Sequence, residues 1–155
     1  MKILFVCTGN TCRSPMASAL FSRQLQSGGI KLASKNIEVS TAGLFAQEGG
    51  QASPLAKQVM QEIGLDISPH RTTPLQTALL TEADLILTMT ETQKDLLQRM
   101  RGDLNLPVYT LAEYAGDAAL EVPDPYGQDI NAYRHTLAQL DYLVDRLLRK
   151  IIESD

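Results

Sequence analysis

The chain has 155 residues, is 44% hydrophobic and carries a net charge of −4. This length and apolar content predict a single domain over residues 1–155 with a buried core. No Lys/Arg block is longer than a dipeptide and no apolar run reaches the ~18 residues that span a bilayer, so we expect neither a nucleic-acid nor a membrane partner.

The first predicted element is a short buried strand at residues 3–6, which are rich in residues with high β-propensity. It is too short to be the apolar core of a signal peptide, and two cysteines are too few for a disulfide framework, so we expect a cytoplasmic protein. A polar turn and a helix are expected next. Ser14 is a candidate N-cap, Pro15 suits the first helical position and Gly28-Gly29 is the predicted stop.

The rest of the chain alternates strands with helices. The predicted strands are residues 37–41, 84–88 and 107–110, and the predicted helices are residues 54–63, 90–101 and 129–151. Thr90 and Gln93 have the spacing of a capping box for the second of these helices.

Alternating strands and helices favour an α/β fold, a four-stranded parallel sheet with helices on both faces, which is flavodoxin-like. Ligands bind such sheets beyond the carboxyl ends of the strands, and the first strand ends at Cys7. The turn after that strand is therefore the first place to look for a site.

This turn, residues 7–15, reads CTGNTCRSP. Backbone N–H groups of a strand-to-helix turn converge on one point and attract an anion. Arg13 adds a planar fork that can hold two oxygens of a tetrahedral anion, and the same positive surroundings favour a thiolate at Cys7. Taken alone, Cys7 could equally be a small buried hydrophobic residue. Its spacing from Arg13 favours the anion site.

Other kinds of site fit this sequence less well. The turn lacks the Gly-Lys-Ser/Thr ending of a nucleotide-binding P-loop. His70 and His135 are far apart in the sequence, and two cysteines do not complete a zinc site. We therefore expect neither a metal nor another cofactor.

The 7–15 turn resembles the signature of the low-molecular-weight protein tyrosine phosphatases, and Asp124-Pro125-Tyr126 resembles their second motif. Residues 40–43, the connection at His70-Arg71 and the long last helix are also similar to that family. The resemblance implies a phosphotyrosine protein phosphatase I-like fold and phosphorylated protein substrates.

The resemblance also implies the catalytic residues. Cys7 would attack phosphorus and form a phosphocysteine, while Arg13 and the loop amides stabilise the phosphoryl oxygens. Asp124 would protonate the leaving group and then activate water, although alone it would be an ordinary turn carboxylate.

Several further residues are expected to bind phosphate or support the loop: Thr8, Gly9, Asn10, Thr11, Cys12, Ser14, Thr41 and His70. The family resemblance implies that Asn10, in a left-handed conformation, braces the loop together with Thr41 and His70. Ser14 can donate a hydrogen bond to the Cys7 sulfur, cap the helix, or do both. The resemblance implies a reversible Cys7–Cys12 disulfide, and the alternative for Cys12 is a buried thiol.

Substrate choice is expected to depend on Thr11 and Tyr126. Most tyrosine-directed members carry a bulky aliphatic residue at the position of Thr11, and threonine resembles the bacterial branch that acts on phosphoarginine. A threonine hydroxyl can orient a guanidinium or a water but walls in a phenyl ring poorly. Tyr126 can stack on either substrate. We therefore predict phosphoarginine, with phosphotyrosine as the alternative.

Competing classes remain. A thiol-dependent arsenate reductase needs cysteines beyond the loop, and none follows Cys12. A dithiol oxidoreductase normally carries Cys-x-x-Cys, and an anion-binding module has no use for Cys7 or Asp124. The sequence leaves the oligomeric state open, with a monomer favoured.

Overall fold

The computed structural model describes residues 1–28, 35–100, 105–118 and 120–154. The strands are β1 (Lys2–Cys7), β2 (Glu38–Gly43), β3 (Leu85–Thr88) and β4 (Val108–Thr110). The helices are α1 (Arg13–Ser27), α2 (Pro54–Glu62), α3 (Thr77–Glu82), α4 (Glu91–Met100), α5 (Leu111–Tyr114) and α6 (Ile130–Glu153).

The four strands form one parallel sheet in the order β2-β1-β3-β4. β1 is central, and its last residue, Cys7, lies opposite Gly43 at the end of β2. The predicted four-stranded parallel α/β fold is therefore confirmed. The carboxyl ends of the strands share one edge of the sheet. The loop of residues 7–14, which lies within the turn described above, is at this edge and is called the 7–14 loop below.

Side chains of β1 alternate between two apolar cores. Ile3 and Phe5 face the larger core, to which α1, α2 and α6 contribute. Leu4 and Val6 face a smaller core on the other side, with contributions from α3 and α4. Because successive strand residues point to opposite faces, a strand covered on both sides must be apolar throughout, as β1 is.

Three predicted helix starts have the expected chemistry. Ser53 precedes α2 and its hydroxyl accepts the Ala56 N–H at 3.3 Å. Asp129 caps α6 in the same way. At α4 the Thr90 hydroxyl accepts the Gln93 N–H at 3.2 Å, and the Gln93 amide oxygen accepts the Thr90 N–H at 3.1 Å. This reciprocal pair is the predicted capping box.

The start of α1 differs from the prediction. The helix begins at Arg13 with Cys12 at the N-cap position, and no side chain of the described residues caps it. Ser14 as the N-cap is therefore wrong, because its hydroxyl is used inside the loop instead.

Two short helices, α3 and α5, were not expected. A helix of four to six residues completes too few turns to show an apolar period. Two predicted helix ends lie outside the described residues. They are Gly29, after α1, and Arg101, at the end of α4. In the described ranges, no helix combines the length and apolar character needed to cross a bilayer.

Candidate active site

Residues of the two motifs meet in one pocket at the carboxyl edge of the sheet. The pocket has a volume of about 270 Å³, and its lining consists of Cys7, Thr8, Gly9, Thr11, Cys12, Arg13, Asp124 and Tyr126. Cys7 ends β1, Arg13 begins α1, and Asp124 comes from the irregular 121–128 loop. The fold thus joins residues that are more than a hundred positions apart in the sequence.

Cys7 is almost fully buried at the base of this pocket, with 2% of its surface exposed. Its sulfur lies 3.0 Å from the Ser14 hydroxyl oxygen. That oxygen already accepts a hydrogen bond of 2.7 Å from the Asn10 amide. Either the Cys7 thiol or the Ser14 hydroxyl can be the donor in this pair. A thiolate can only accept, so when Cys7 is ionised Ser14 is the donor and its hydrogen bond stabilises the thiolate.

Asn10 holds the loop through three polar groups. It is fully buried and has the expected positive φ, 58°. Besides the bond to Ser14, its side-chain oxygen accepts the Thr73 N–H at 2.8 Å, and its carbonyl oxygen lies 2.8 Å from His70 Nε2. A carbonyl can only accept, so Nε2 carries the proton. The structure thus brings His70 into contact with the loop.

Thr41 is not part of this brace. It lies in β2 opposite Phe5, and in the described part of the chain its side chain makes no hydrogen bond to Asn10. With His70 it lines a separate cleft beside α1. The place expected for Thr41 is taken by the backbone of Thr73, which a sequence pattern does not reveal.

Gly43 supports the loop, although this residue of the 40–43 segment was not predicted to have a role in the site. A Cβ atom added there would lie 2.7 Å from the Ala46 Cβ, 2.8 Å from the Thr8 carbonyl oxygen and 2.9 Å from the Asn10 nitrogen. Real Cβ atoms do not approach backbone so closely. The end of β2 therefore has to be glycine for the 7–14 loop to pack against it.

Arg13 connects the two motifs. Its guanidinium is buried, and Nη1 donates to the Val122 carbonyl at 3.0 Å while Nη2 lies 3.6 Å from Asp124 Oδ2. The other carboxylate oxygen of Asp124 accepts the Tyr126 N–H at 3.0 Å. Half of the Asp124 side chain is exposed. One cation thus lies at the pocket wall beside a carboxylate that solvent and substrate can reach.

The two predicted specificity residues both line the pocket. Thr11 is half-buried, and its carbonyl oxygen accepts the Ser53 N–H at 2.9 Å, which attaches the loop to the start of α2. Tyr126 is 69% exposed, which leaves its ring free to contact a bound side chain.

Cys12 is a buried residue of the pocket lining that lies among hydroxyl groups. Its sulfur lies 3.3 Å from the Ser53 hydroxyl and 3.4 Å from the Tyr133 hydroxyl, which are themselves 3.3 Å apart. Burial, followed by the hydrogen bond to Cys12, raises the pKa of Tyr133 to about 12. Both cysteines are free thiols. The reversible disulfide between them stays a prediction.

Gln93 also reaches the site, from the first turn of α4. Its side-chain amide donates to the Thr8 hydroxyl at 3.0 Å. The capping-box pattern located Gln93 at the helix start, but a pattern of that kind does not show what the spare amide protons contact.

A larger cleft of about 420 Å³ lies elsewhere, beside the end of α6. Its lining includes the cations Arg146, Arg149 and Lys150 and contains neither a thiol nor a hydroxyl nucleophile other than Ser154. Because the reactive groups converge on the smaller pocket, that pocket is the candidate active site.

The chain is similar to known phosphatases over nearly its whole length. It is 38% identical over 151 residues to the protein-arginine-phosphatase of Bacillus subtilis (strain 168), covering 97% of each chain. It is 39% identical over 148 residues to the low molecular weight protein-tyrosine-phosphatase PtpB of Staphylococcus haemolyticus, covering 95% of this chain and 97% of that one.

A solved structure shows the same fold. It is a cysteine-to-serine mutant of the YwlE arginine phosphatase with a phosphorylated active-site serine, and it superposes with a TM-score of 0.89 at 36% identity, covering 99% of this chain and 97% of that chain. Residues 2–155 match the family described as low molecular weight phosphotyrosine protein phosphatase. This chain belongs to the low molecular weight phosphotyrosine protein phosphatase family.

Proposed function

We propose that this protein is a cysteine-dependent phosphatase that removes the phosphoryl group from arginine side chains of proteins. The observation that carries the proposal is the single pocket in which Cys7, Arg13 and Asp124 meet, with Thr11 in its lining. The similarity to a protein-arginine-phosphatase over nearly the whole chain supports it.

In the first step the Cys7 sulfur attacks phosphorus and the bond from phosphorus to the leaving nitrogen breaks. Negative charge on the phosphoryl oxygens is stabilised by the loop N–H groups and by Arg13. The carboxylic acid form of Asp124, which lies beside Arg13, donates its proton to the leaving nitrogen and becomes a carboxylate. The product is a phosphocysteine and a neutralised leaving group.

In the second step water replaces the cysteine. The oxygen of water attacks phosphorus while Asp124, now ionised, accepts a proton from that water, and the sulfur–phosphorus bond breaks. The returning thiolate accepts the Ser14 proton as a hydrogen bond at the 3.0 Å separation seen between the two atoms. Ser14 therefore favours departure of the thiolate as well as its initial ionisation.

Selectivity for phosphoarginine is assigned to Thr11. A hydroxyl in the pocket lining can accept a hydrogen bond from a guanidinium, whereas a branched aliphatic side chain would pack better against a phenyl ring. Tyr126, with most of its ring exposed, can stack on a planar guanidinium.

Phosphotyrosine is the second candidate substrate. The exposed ring of Tyr126 is equally able to stack on a phenyl ring, and the PtpB relative is named a tyrosine phosphatase. Because both substrates fit this ring, Thr11 is the residue to test.

Matched peptides carrying either phosphoarginine or phosphotyrosine discriminate the two. We expect the wild type to favour phosphoarginine, and Thr11→Ile to shift the kcat/KM ratio about tenfold toward phosphotyrosine, the size of effect expected for such a pocket change. Thr92→Ile, the same change at an exposed position of α4, is the control and should keep the wild-type ratio. An unchanged ratio in Thr11→Ile would refute the role of Thr11, and a wild-type preference for phosphotyrosine would refute the phosphoarginine assignment.

A further inference from the structure

Gln93 is a buried polar residue that the mechanism above does not use. Only 5% of its surface is exposed, yet it is not in the pocket lining. Burying an amide is unfavourable unless its hydrogen bonds are made, so each of its contacts is informative.

The contacts of Gln93 run in two directions. Its side-chain oxygen accepts the backbone N–H groups of Met89 at 2.9 Å and Thr90 at 3.1 Å, which fixes the turn between β3 and α4. Its side-chain nitrogen donates to the Thr8 hydroxyl at 3.0 Å, which lies in the 7–14 loop. One amide therefore joins two segments that are 85 residues apart.

The β3–α4 turn in turn holds the 121–128 loop. The Met89 carbonyl accepts the Val122 N–H at 3.2 Å, and the Val122 carbonyl accepts from Arg13 at 3.0 Å. Val122 is completely buried and lies two residues before Asp124. The peptide groups around Val122 are thus fixed from one side by the turn and from the other by Arg13.

These bonds close a ring. It passes from Thr8 through Gln93, Met89 and Val122 to Arg13, and returns to Thr8 along the backbone of the 7–14 loop. Every link except Gln93 to Thr8 involves a backbone group, so this link is the one that depends entirely on side-chain identity.

We propose that Gln93 is a positioning residue for the general acid: through Thr8 and Met89 it sets the placement of Asp124 relative to Cys7. The inference rests on the proposed phosphatase function. A general acid contributes most when the leaving group is a poor one, because a good leaving group departs without a proton. Misplacing Asp124 should therefore slow poor leaving groups selectively.

The test compares phenyl phosphate, a poor leaving group, with dinitrophenyl phosphate, a good one. In Gln93→Met, which keeps the side-chain length but loses both hydrogen-bonding ends, we expect the ratio of kcat/KM values, phenyl over dinitrophenyl, to fall about tenfold. We compare kcat/KM because it reports the step in which the leaving group departs and not the later hydrolysis of the phosphocysteine. Thr8→Val removes the partner hydroxyl with little change of shape and should lower the ratio similarly. Thr8→Ser, which keeps the hydroxyl, should restore it.

A matched control separates positioning from helix capping. Thr90→Val removes the other half of the same capping box, in which the Thr90 hydroxyl accepts the Gln93 N–H, and leaves Thr8 alone. It should lower the urea midpoint for unfolding but keep the wild-type ratio. If Gln93→Met does not fold, Thr8→Val and Thr8→Ser decide the matter.

A double variant provides the last arm. If Gln93 acts through Thr8, Gln93→Met combined with Thr8→Val should lower the ratio no further than Gln93→Met alone. Losses that multiply, or a ratio unchanged in both single variants, would overturn the inference. Failure of the wild type to turn over dinitrophenyl phosphate would instead overturn the proposed phosphatase function.

Discussion

The two loops that form the pocket are held in opposite ways. In the 7–14 loop the side chains of Asn10, Arg13 and Ser14 are buried, and their polar groups are bonded within the protein. In the 121–128 loop the backbone of Val122 is fixed, while the side chains of Asp124 and Tyr126 extend into solvent.

This difference matches two chemical tasks. Stabilising charge on a phosphoryl group requires donors that do not reorganise during the reaction, which favours a buried and fully bonded loop. Delivering a proton requires access to leaving groups of different shapes, which favours an exposed carboxylate on a fixed backbone. Changes to the groups that attack or stabilise the phosphoryl group should therefore affect aryl phosphates alike, whatever their leaving group. Changes that remove or displace Asp124 should affect them according to leaving group.

The largest effect is expected for Cys7→Ser. Loss of the nucleophile should reduce kcat by about 10⁴-fold or more on phenyl and dinitrophenyl phosphate alike, because neither substrate can then form the covalent intermediate. Steady-state kinetics measure it, and retained binding of inorganic phosphate by calorimetry shows that the loop is intact. Appreciable turnover in this variant would rule out the covalent mechanism.

Asp124→Asn should separate the two loops most clearly. Without a proton donor, kcat/KM for phenyl phosphate should fall about 10²-fold or more, and for dinitrophenyl phosphate much less, because kcat/KM excludes the later hydrolysis of the phosphocysteine. Asp95→Asn, at an exposed position of α4, is the control and should match the wild type. Equal losses on both substrates would show that Asp124 is not the general acid.

Gly43→Ala should disturb the 7–14 loop without touching a reacting group. The added methyl would meet the Thr8 carbonyl and the Asn10 nitrogen at under 3 Å, so the loop must shift, and kcat should fall about tenfold or more on both substrates equally. Adding Ala46→Gly removes only the contact with the Ala46 Cβ and should leave the enzyme impaired. Full recovery in that double variant would mean that the backbone contacts are unimportant.

Tyr133→Phe should have the smallest effect, and this effect should be on stability. The folded-state pKa of Tyr133 is raised to about 12 from an unfolded value near ~10, so its contribution to stability is complete below pH ~10 and is lost as the pH rises toward ~12. The free energy of unfolding, measured with urea from pH 8 to 12, should therefore fall less steeply in the variant than in the wild type. Tyr142→Phe, an exposed position on the same helix, should keep the steeper fall. Identical slopes for Tyr133→Phe and the wild type would contradict the raised pKa.

Local patterns predicted much of this molecule. The apolar run of β1, the turn that follows it and the capping box of α4 are each encoded by neighbouring residues, and the structure places all three as expected. The capping role given to Ser14 was wrong because a short local rule competed with a contact to Cys7. Only the folded loop decides between them.

The rest of the site depends on contacts between distant segments. The need for glycine at position 43 arises from loop backbone that the sheet brings against it, and the partner of Gln93 lies in a different βα unit. Replacement of Thr41 by the Thr73 backbone in the brace around Asn10 has the same origin. Backbone groups carry no residue identity, so a sequence pattern cannot identify them as partners.

Arg13 and Cys12 contact residues far along the chain, and this separation matters during synthesis of the protein. Arg13 binds the backbone 109 residues further on, and Cys12 contacts a hydroxyl 121 residues further on. At a synthesis rate of 5–20 residues per second, about 6 to 24 s separate the emergence of the reactive loop from that of its last partner. A nascent chain therefore carries the Cys12 thiol for that interval without the Tyr133 hydroxyl that later contacts it, and for most of that time Arg13 lacks the Val122 carbonyl that it later binds.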